Sequence, residues 1–204
     1  MSQTSANLWN VPNTLTLFRI IFAVLMFVAL EFGCYWGGMT FFIIAAITDY
    51  FDGWWARKFQ QVTVFGRIVD PFADKLLVCG ALIYLAAAPQ MTALPWGFRC
   101  WMAVVIIGRE LLITTIRAFL EQQGQDFSAK WAGKVKMGLQ CVAIPACMLW
   151  IALVTRENAA DNAATGPGWL YWLIVITVWG MVIVTIYSGL KYLFVASKII
   201  FNGK

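Results

Sequence analysis

The sequence predicts an all-α integral membrane protein. Six transmembrane helices are expected at about 15–32, 36–58, 66–88, 96–121, 133–155 and 168–197, after a short amino-terminal interfacial helix at 6–14. Three observations predict this. The 204 residues are 61% apolar and 12% charged, with a mean hydropathy of +0.75. A soluble domain is about half apolar and about a quarter charged, so this chain cannot cover itself with polar surface. Its apolar residues also fall into six runs near the length of about 20 residues that a spanning helix needs. Finally, its bases segregate: the connections after the first, third and fifth runs hold only Arg99 and Arg156, and the other thirteen of the fifteen Lys and Arg fall on the opposite side. Both termini are therefore expected on the cytoplasmic side.

In chain order, residues 6–14 (ANLWNVPNT) are too short and too polar to span. Leu8, Trp9 and Val11 suit the headgroup layer, with Pro12 turning the chain into the first span. No Lys or Arg precedes the first run, and nothing resembling a cleavage site closes it, so it reads as a retained span and not as a signal peptide. The second run carries Asp49 and Asp52 near its inner end, and the third carries Asp70 and Asp74 near its start. Arg109 and Arg117 sit on the fourth, and Lys130 and Lys134 lead into the fifth. The polar stretch 157–167 reads as an outer loop before the sixth run. These connections leave no room for a second domain, so residues 1–204 are expected to form a single membrane domain. The net charge of +5 is explained by orientation in the bilayer rather than by nucleic acid. Five cysteines without a CxxC pair, in a chain with no His, argue against zinc. They are expected to be small buried packing residues.

Ionisable residues inside spans cost several kcal/mol unless paired, which makes each a functional candidate. Asp49 and Asp52 are spaced i, i+3 and Asp70 and Asp74 i, i+4, so each pair shares a helix face. If the second and third helices form an antiparallel hairpin, residues at equal height have position numbers of constant sum. Asp49 with Asp74 gives 123 and Asp52 with Asp70 gives 122. A rise of about 1.5 Å per residue puts the carboxylates about 21 to 24 Å from the outer helix ends, several Å inside a hydrocarbon core about 30 Å thick. Four carboxylates converging there repel one another, and protonation would need large pKa shifts. One or two divalent cations, of the Mg²⁺ or Mn²⁺ kind and open to a phosphate substrate, are the cheaper solution. Pairing of the same Asp with Arg57, Arg67 and Lys75 is the structural alternative. Gly53, Ala56 and Gly66 strip bulk from the helices beside the carboxylates, and Arg57 adds a fixed cation, which together describe a pocket for a diphosphate.

The stretch 49–74 (DYFDGWWARKFQQVTVFGRIVDPFAD) resembles the signature of the CDP-alcohol phosphotransferases, D-x2-D-G-x2-A-R-x8-G-x3-D-x3-D, with every fixed position filled. NVPNTLTLFRI at 10–20, GRELLITTIRAFL at 108–120 and AGKVKMGLQ at 132–140 look like the subgroup that makes phosphatidylglycerophosphate. The resemblance implies a six-helix enzyme of the cell (inner) membrane, a homodimer, whose site opens to the cytoplasm. Such enzymes transfer a phosphatidyl group from CDP-diacylglycerol to an alcohol and release CMP. By that similarity Asp49, Asp52, Asp70 and Asp74 hold the metal, with Asp74 as the general base. Asp52, Gly53, Ala56, Arg57, Thr63 and Gly66 fall where the family contacts the CDP lipid, and Asn13 and Thr16 where its amino-terminal motif borders the nucleotide.

The acceptor must be recognised elsewhere. Arg109 and Arg117 lie eight apart near one face, and Lys130 and Lys134 lie four apart. Cations at the inner helix ends favour an anionic acceptor, and the subgroup resemblance points to glycerol 3-phosphate. Arg109, Arg117, Lys130 and Lys134 are the expected phosphate ligands. Lys136 is assigned instead to anchoring against anionic lipid, and Glu110 is a candidate to orient one of the arginines. Inositol phosphate, serine and phosphatidylglycerol remain alternative acceptors. A divalent-cation transporter is the alternative outside the enzyme class, although the outer parts of the second and third helices, 39–47 and 76–88, carry only Thr40 and Tyr84 as polar groups.

Overall fold

The computed structural model describes residues 11–59, 64–122, 130–158 and 166–202, with side chains over 14–49, 69–116, 135–155 and 166–194. Among the described residues the chain forms seven helices: α1 (Val11–Glu31), α2 (Tyr35–Phe59), α3 (Val64–Ala87), α4 (Pro89–Ala93), α5 (Cys100–Gln122), α6 (Lys130–Asn158) and α7 (Gly168–Asn202). The six long ones occupy the six apolar runs. By length and composition, the segments Thr14–Glu31, Val135–Thr155 and Gly168–Phe194 are apolar enough to cross a membrane. The other three long helices, α2, α3 and α5, carry the four aspartates, Arg109 and Arg117, while Lys130 and Lys134 open α6 just before its apolar segment.

Two expectations change. Residues 11–14 are the first turn of α1 and not part of a separate interfacial helix, while 6–10 lie outside the described residues. Pro12, second in α1, needs no N–H partner there and has a helix-ready φ, so it continues the first turn rather than separating two segments. The short α4 was not anticipated. The residue before a proline is driven out of the α region, and Ala88 is extended at φ −69°, ψ 122°. That ends α3 and lets Pro89 open a new turn. Arg99 then fastens the connection to α5, donating from Nη1 to the Thr92 carbonyl at 2.5 Å and from Nη2 to the Leu94 carbonyl at 3.2 Å.

Each long helix buries one stripe. On α1 it is Thr16, Arg19, Ala23, Met26 and Leu30, and on α7 it runs from Leu170 and Ile174 through Val178, Met181 and Thr185 to Ser188 and Tyr192. The steps of three and four are the helical period. The opposite faces are also apolar, with Phe18, Val24 and Val28 on α1 and Trp172, Ile183 and Leu190 on α7 exposed. Helices apolar on both faces suit a hydrocarbon surround and not water. All five cysteines are free, and only Cys147 is buried. Cys34, Cys100 and Cys141 are exposed and Cys79 is intermediate, which corrects the expectation that all five pack inside.

α1 packs against α2 and α3, α6 against α7 and α2, and α5 against α7 and α3. Close approach of α1 and α3 depends on Gly80, where a Cβ would fall 2.3 Å from Phe27 Cε1 and Cζ. Phe27 is itself stacked on Tyr84, with ring centroids 6.0 Å apart, so it cannot simply swing away. Gly80→Leu is expected to destabilise the fold by about 1–3 kcal/mol, measured as a lower thermal midpoint in detergent. An unchanged midpoint would show that the two helices do not meet there.

Candidate active site

At one end of the bundle the buried stripes stop being apolar. Thr16 and Arg19 on α1, Lys136 and Gln140 on α6, and Thr185 and Ser188 on α7 are all buried. Arg19, Lys136 and Gln140 line a cavity of about 520 Å³ to which six helices contribute, with Asp49, Asp74, Arg109 and Glu110 also among its lining residues and Phe42 and Leu77 on its apolar part. The core behind it is continuous, running through Ala81, Leu82, Ile106, Ile144 and Val178.

The carboxylates are arranged by α1. Arg19, 1% exposed, extends Nη2 to Asp49 Oδ1 at 2.8 Å. One turn earlier on the same face, the Thr16 hydroxyl donates to Asp70 Oδ1. A single stripe of α1 thus holds a carboxylate of α2 and a carboxylate of α3. Of the long-helix pairs in contact, α2 and α3 touch each other least. Facing carboxylates repel, and a guanidinium and a hydroxyl from a third helix relieve that repulsion where direct pairing would increase it. Asp70 and Asp74 nevertheless lie within electrostatic range of Asp49. Asp74 lines the cavity and takes no hydrogen bond or ion pair among the described residues.

The opposite wall is basic. Glu110 Oε1 accepts from Arg109 Nη1 at 3.0 Å and is also ion-paired to Lys136 Nζ. Arg109 Nη2 donates to Ser188 Oγ at 3.0 Å, and the guanidinium lies 5.6 Å from the Tyr192 ring centroid. Residues of α5 and α7 together therefore fix one arginine. Asp74, Lys75 and Arg109 all act electrostatically on the Lys136 ammonium. Lys136 is 4% exposed, so it belongs to the cavity wall and not to the headgroup layer. Its position on the buried stripe of α6, one turn before Gln140, is the signal that assigns it inward.

Thr16, Asp49, Asp70, Asp74 and Arg109 are thus gathered at one end of the bundle. Asn13, Asp52, Gly53, Ala56, Arg57, Gly66, Arg117, Lys130 and Lys134 lie on described helices, but their side chains fall outside the described residues, and Thr63 falls outside them altogether. Sequence reasoning missed Arg19, Lys75, Lys136 and Gln140 as site residues. The signal for Arg19 was available: a charge inside an apolar run, three residues after Thr16, is a functional candidate by the same rule that picked out the aspartates.

Asp49, Asp70 and Asp74 are hard oxygen donors from two helices, with the chemistry that suits Mg²⁺ or Mn²⁺. Among the described residues no three acidic, Cys or His side chains are gathered tightly enough to hold one ion. Asp49 and Asp70 are instead turned toward Arg19 and Thr16. What the arrangement offers is carboxylates on one wall, fixed cations on the other, and an unengaged carboxylate between them. That is a setting for a phosphorylated substrate and for proton removal beside it.

Comparison with known proteins agrees with this setting. Residues 9–187 match the family model described as CDP-alcohol phosphatidyltransferase. The chain is 34% identical over 200 residues to the CDP-diacylglycerol–glycerol-3-phosphate 3-phosphatidyltransferase of Bacillus subtilis (strain 168), covering 91% of this chain and 94% of that protein. It is similarly 34% identical over 182 residues to the protein of that name from Escherichia coli (strain K12), covering 85% and 91%. An Arabidopsis thaliana relative, CDP-diacylglycerol–glycerol-3-phosphate 3-phosphatidyltransferase 2, is 33% identical over 194 residues, covering 89% and 81%. With the signature complete and the match running from the start of α1 into α7, the chain belongs to the CDP-alcohol phosphatidyltransferase family.

Proposed function

We propose that this chain transfers a phosphatidyl group from CDP-diacylglycerol to glycerol 3-phosphate, giving phosphatidylglycerophosphate and CMP. The observation that carries this reading is the cavity in which Asp74, free of partners among the described residues, stands within reach of the charges of Lys136 and Asp49. The relatives' names supply the substrates.

In this reading the acceptor hydroxyl gives its proton to Asp74 while its oxygen forms a bond to the phosphorus that bears diacylglycerol. The bond from that phosphorus to the CMP oxygen breaks, and CMP leaves with the electron pair. Asp49, Asp52, Asp70 and Asp74 would hold one or two divalent ions, Mg²⁺ or Mn²⁺. When bound, such an ion neutralises the diphosphate and the charge developing on CMP. Asn13, Thr16, Gly53, Ala56, Arg57, Thr63 and Gly66 border the CDP lipid. Arg109, fixed by Glu110 and Ser188, binds the acceptor phosphate with Arg117, Lys130 and Lys134. Lys75 and Lys136 strengthen the same positive wall.

The six long helices then cross the cell (inner) membrane, with α4 toward the outer side and both termini and the cavity toward the cytoplasm. Residues 6–10 lie at the interface, and the working unit is a homodimer. The segregation of the bases and the apolar outward faces support this topology.

Purified protein given CDP-diacylglycerol and Mg²⁺ is expected to release CMP with glycerol 3-phosphate, and not with inositol phosphate, serine or phosphatidylglycerol. Chelation with EDTA should stop the release and added Mn²⁺ or Mg²⁺ restore it. No release with any acceptor would overturn the enzyme reading and favour cation transport. Asp74→Asn should abolish transfer while CDP-lipid binding persists, and near-normal turnover would remove Asp74 as the base. Arg109→Ala loses charge-assisted hydrogen bonds worth about 1.5–3 kcal/mol, so the KM for glycerol 3-phosphate should rise about 10- to 100-fold. The KM for CDP-diacylglycerol should stay within about threefold, and equal effects on both substrates would refute the acceptor assignment.

A further inference from the structure

Gln140 lies on the buried stripe of α6, one turn after Lys136 and just before Ala143, Ile144 and Cys147 carry that stripe into the apolar core. It lines the cavity and is 6% exposed. Its Nε2 donates to nothing among the described residues. Two other polar side chains that line the same cavity are engaged: Thr114 Oγ1 donates to the Glu110 carbonyl at 2.8 Å, and the Glu110 carboxylate takes Arg109 and Lys136. A buried amide donor left without a partner costs about 1–3 kcal/mol. Buried polar side chains in native proteins are overwhelmingly satisfied, so an unsatisfied one that faces a cavity points to a ligand atom.

The chemistry of the group narrows that atom. Lys75, Arg109 and Lys136 already supply positive charge for an anion. A neutral amide adds little to phosphate binding beside three cations, but its N–H matches an uncharged hydroxyl oxygen. The rise from Lys136 to Gln140 is about 6 Å along the helix, so one turn of α6 presents a cation and then an amide, the order that a short polyol phosphate would meet. We propose that Gln140 recognises the acceptor's second hydroxyl, the one that does not attack phosphorus. It thereby selects a polyol phosphate over a simple hydroxyalkyl phosphate. This inference rests on the proposed transfer to glycerol 3-phosphate.

The test compares glycerol 3-phosphate with 3-hydroxypropyl phosphate, which keeps the primary hydroxyl and the phosphate but lacks the second hydroxyl. Sites built to bond a hydroxyl reject analogues that lack it because their own polar group is left unpaired. The wild-type protein in detergent, with CDP-diacylglycerol and Mg²⁺, is expected to prefer glycerol 3-phosphate by about a hundredfold or more in kcat/KM. Gln140→Met should bring that preference to within about tenfold by lowering kcat/KM for glycerol 3-phosphate alone, with the KM for CDP-diacylglycerol unchanged. Gln140→Leu, which removes both the donor and the acceptor without adding charge, is a second variant in which the preference should also collapse. An undiminished preference in either variant, or an equal loss for both acceptors, overturns the role of Gln140 while transfer to glycerol 3-phosphate stands. Absence of CMP release by the wild-type protein with glycerol 3-phosphate overturns the underlying reading, and this one with it.

Discussion

The structure depends on the ion pair between Arg19 and Asp49. A guanidinium that is 1% exposed in an apolar helix is costly to desolvate, and only a partner in good geometry offsets the cost. Asp49 is that partner, and the constraint is mutual, because a carboxylate at this depth needs a cation as much as Arg19 needs an anion. Removing one member of such a pair leaves an uncompensated buried charge, at a cost of about 3–5 kcal/mol. The pair thereby sets the rotation of α1, and that rotation brings Thr16 to Asp70. The apolar remainder of the stripe, Ala23, Met26 and Leu30, is then the part of α1 that packs against α2 and α3.

The same logic of mutual compensation organises the opposite wall. Glu110 holds Arg109 and Lys136 together although the two cations repel each other. Without the shared carboxylate, the Arg109 and Lys136 charges would stand uncompensated at the cavity wall. What is left after these pairings is chemically selective: Asp74 and the Gln140 amide face the cavity without partners among the described residues. Groups satisfied within the protein hold the helices, and groups left unsatisfied at the cavity are available to a ligand.

Much of this was legible in the residues. The six apolar runs predict the six long helices because apolar length is a local property, and their bounds shift only by a few residues, as where Pro12 proves compatible with the first turn of α1. The aspartates of the second and third helices stand out because charge inside an apolar run has no cheap structural explanation. Less legible was the side each base would choose. Lys136 reads as one more cytoplasmic charge in a list of thirteen, yet it is buried, because which face of α6 turns inward depends on its packing against α2 and α7, elements remote from Lys136 in sequence. The short α4 follows from local chemistry at Pro89 and was simply overlooked.

The sequence by itself determined the solvent this protein lives in, the number of long helices and the family signature, since composition, run length and fixed spacing do not depend on how helices meet. Only the tertiary structure decided the partners: that Asp49 and Asp70 are held by Arg19 and Thr16 of α1, that Lys136 lies in the cavity wall, and that Gln140 keeps a donor free. A pairing is a relation between side chains 20 to 80 residues apart. It is fixed by which stripe each helix buries and by the rotation that satisfies all the buried charges at once.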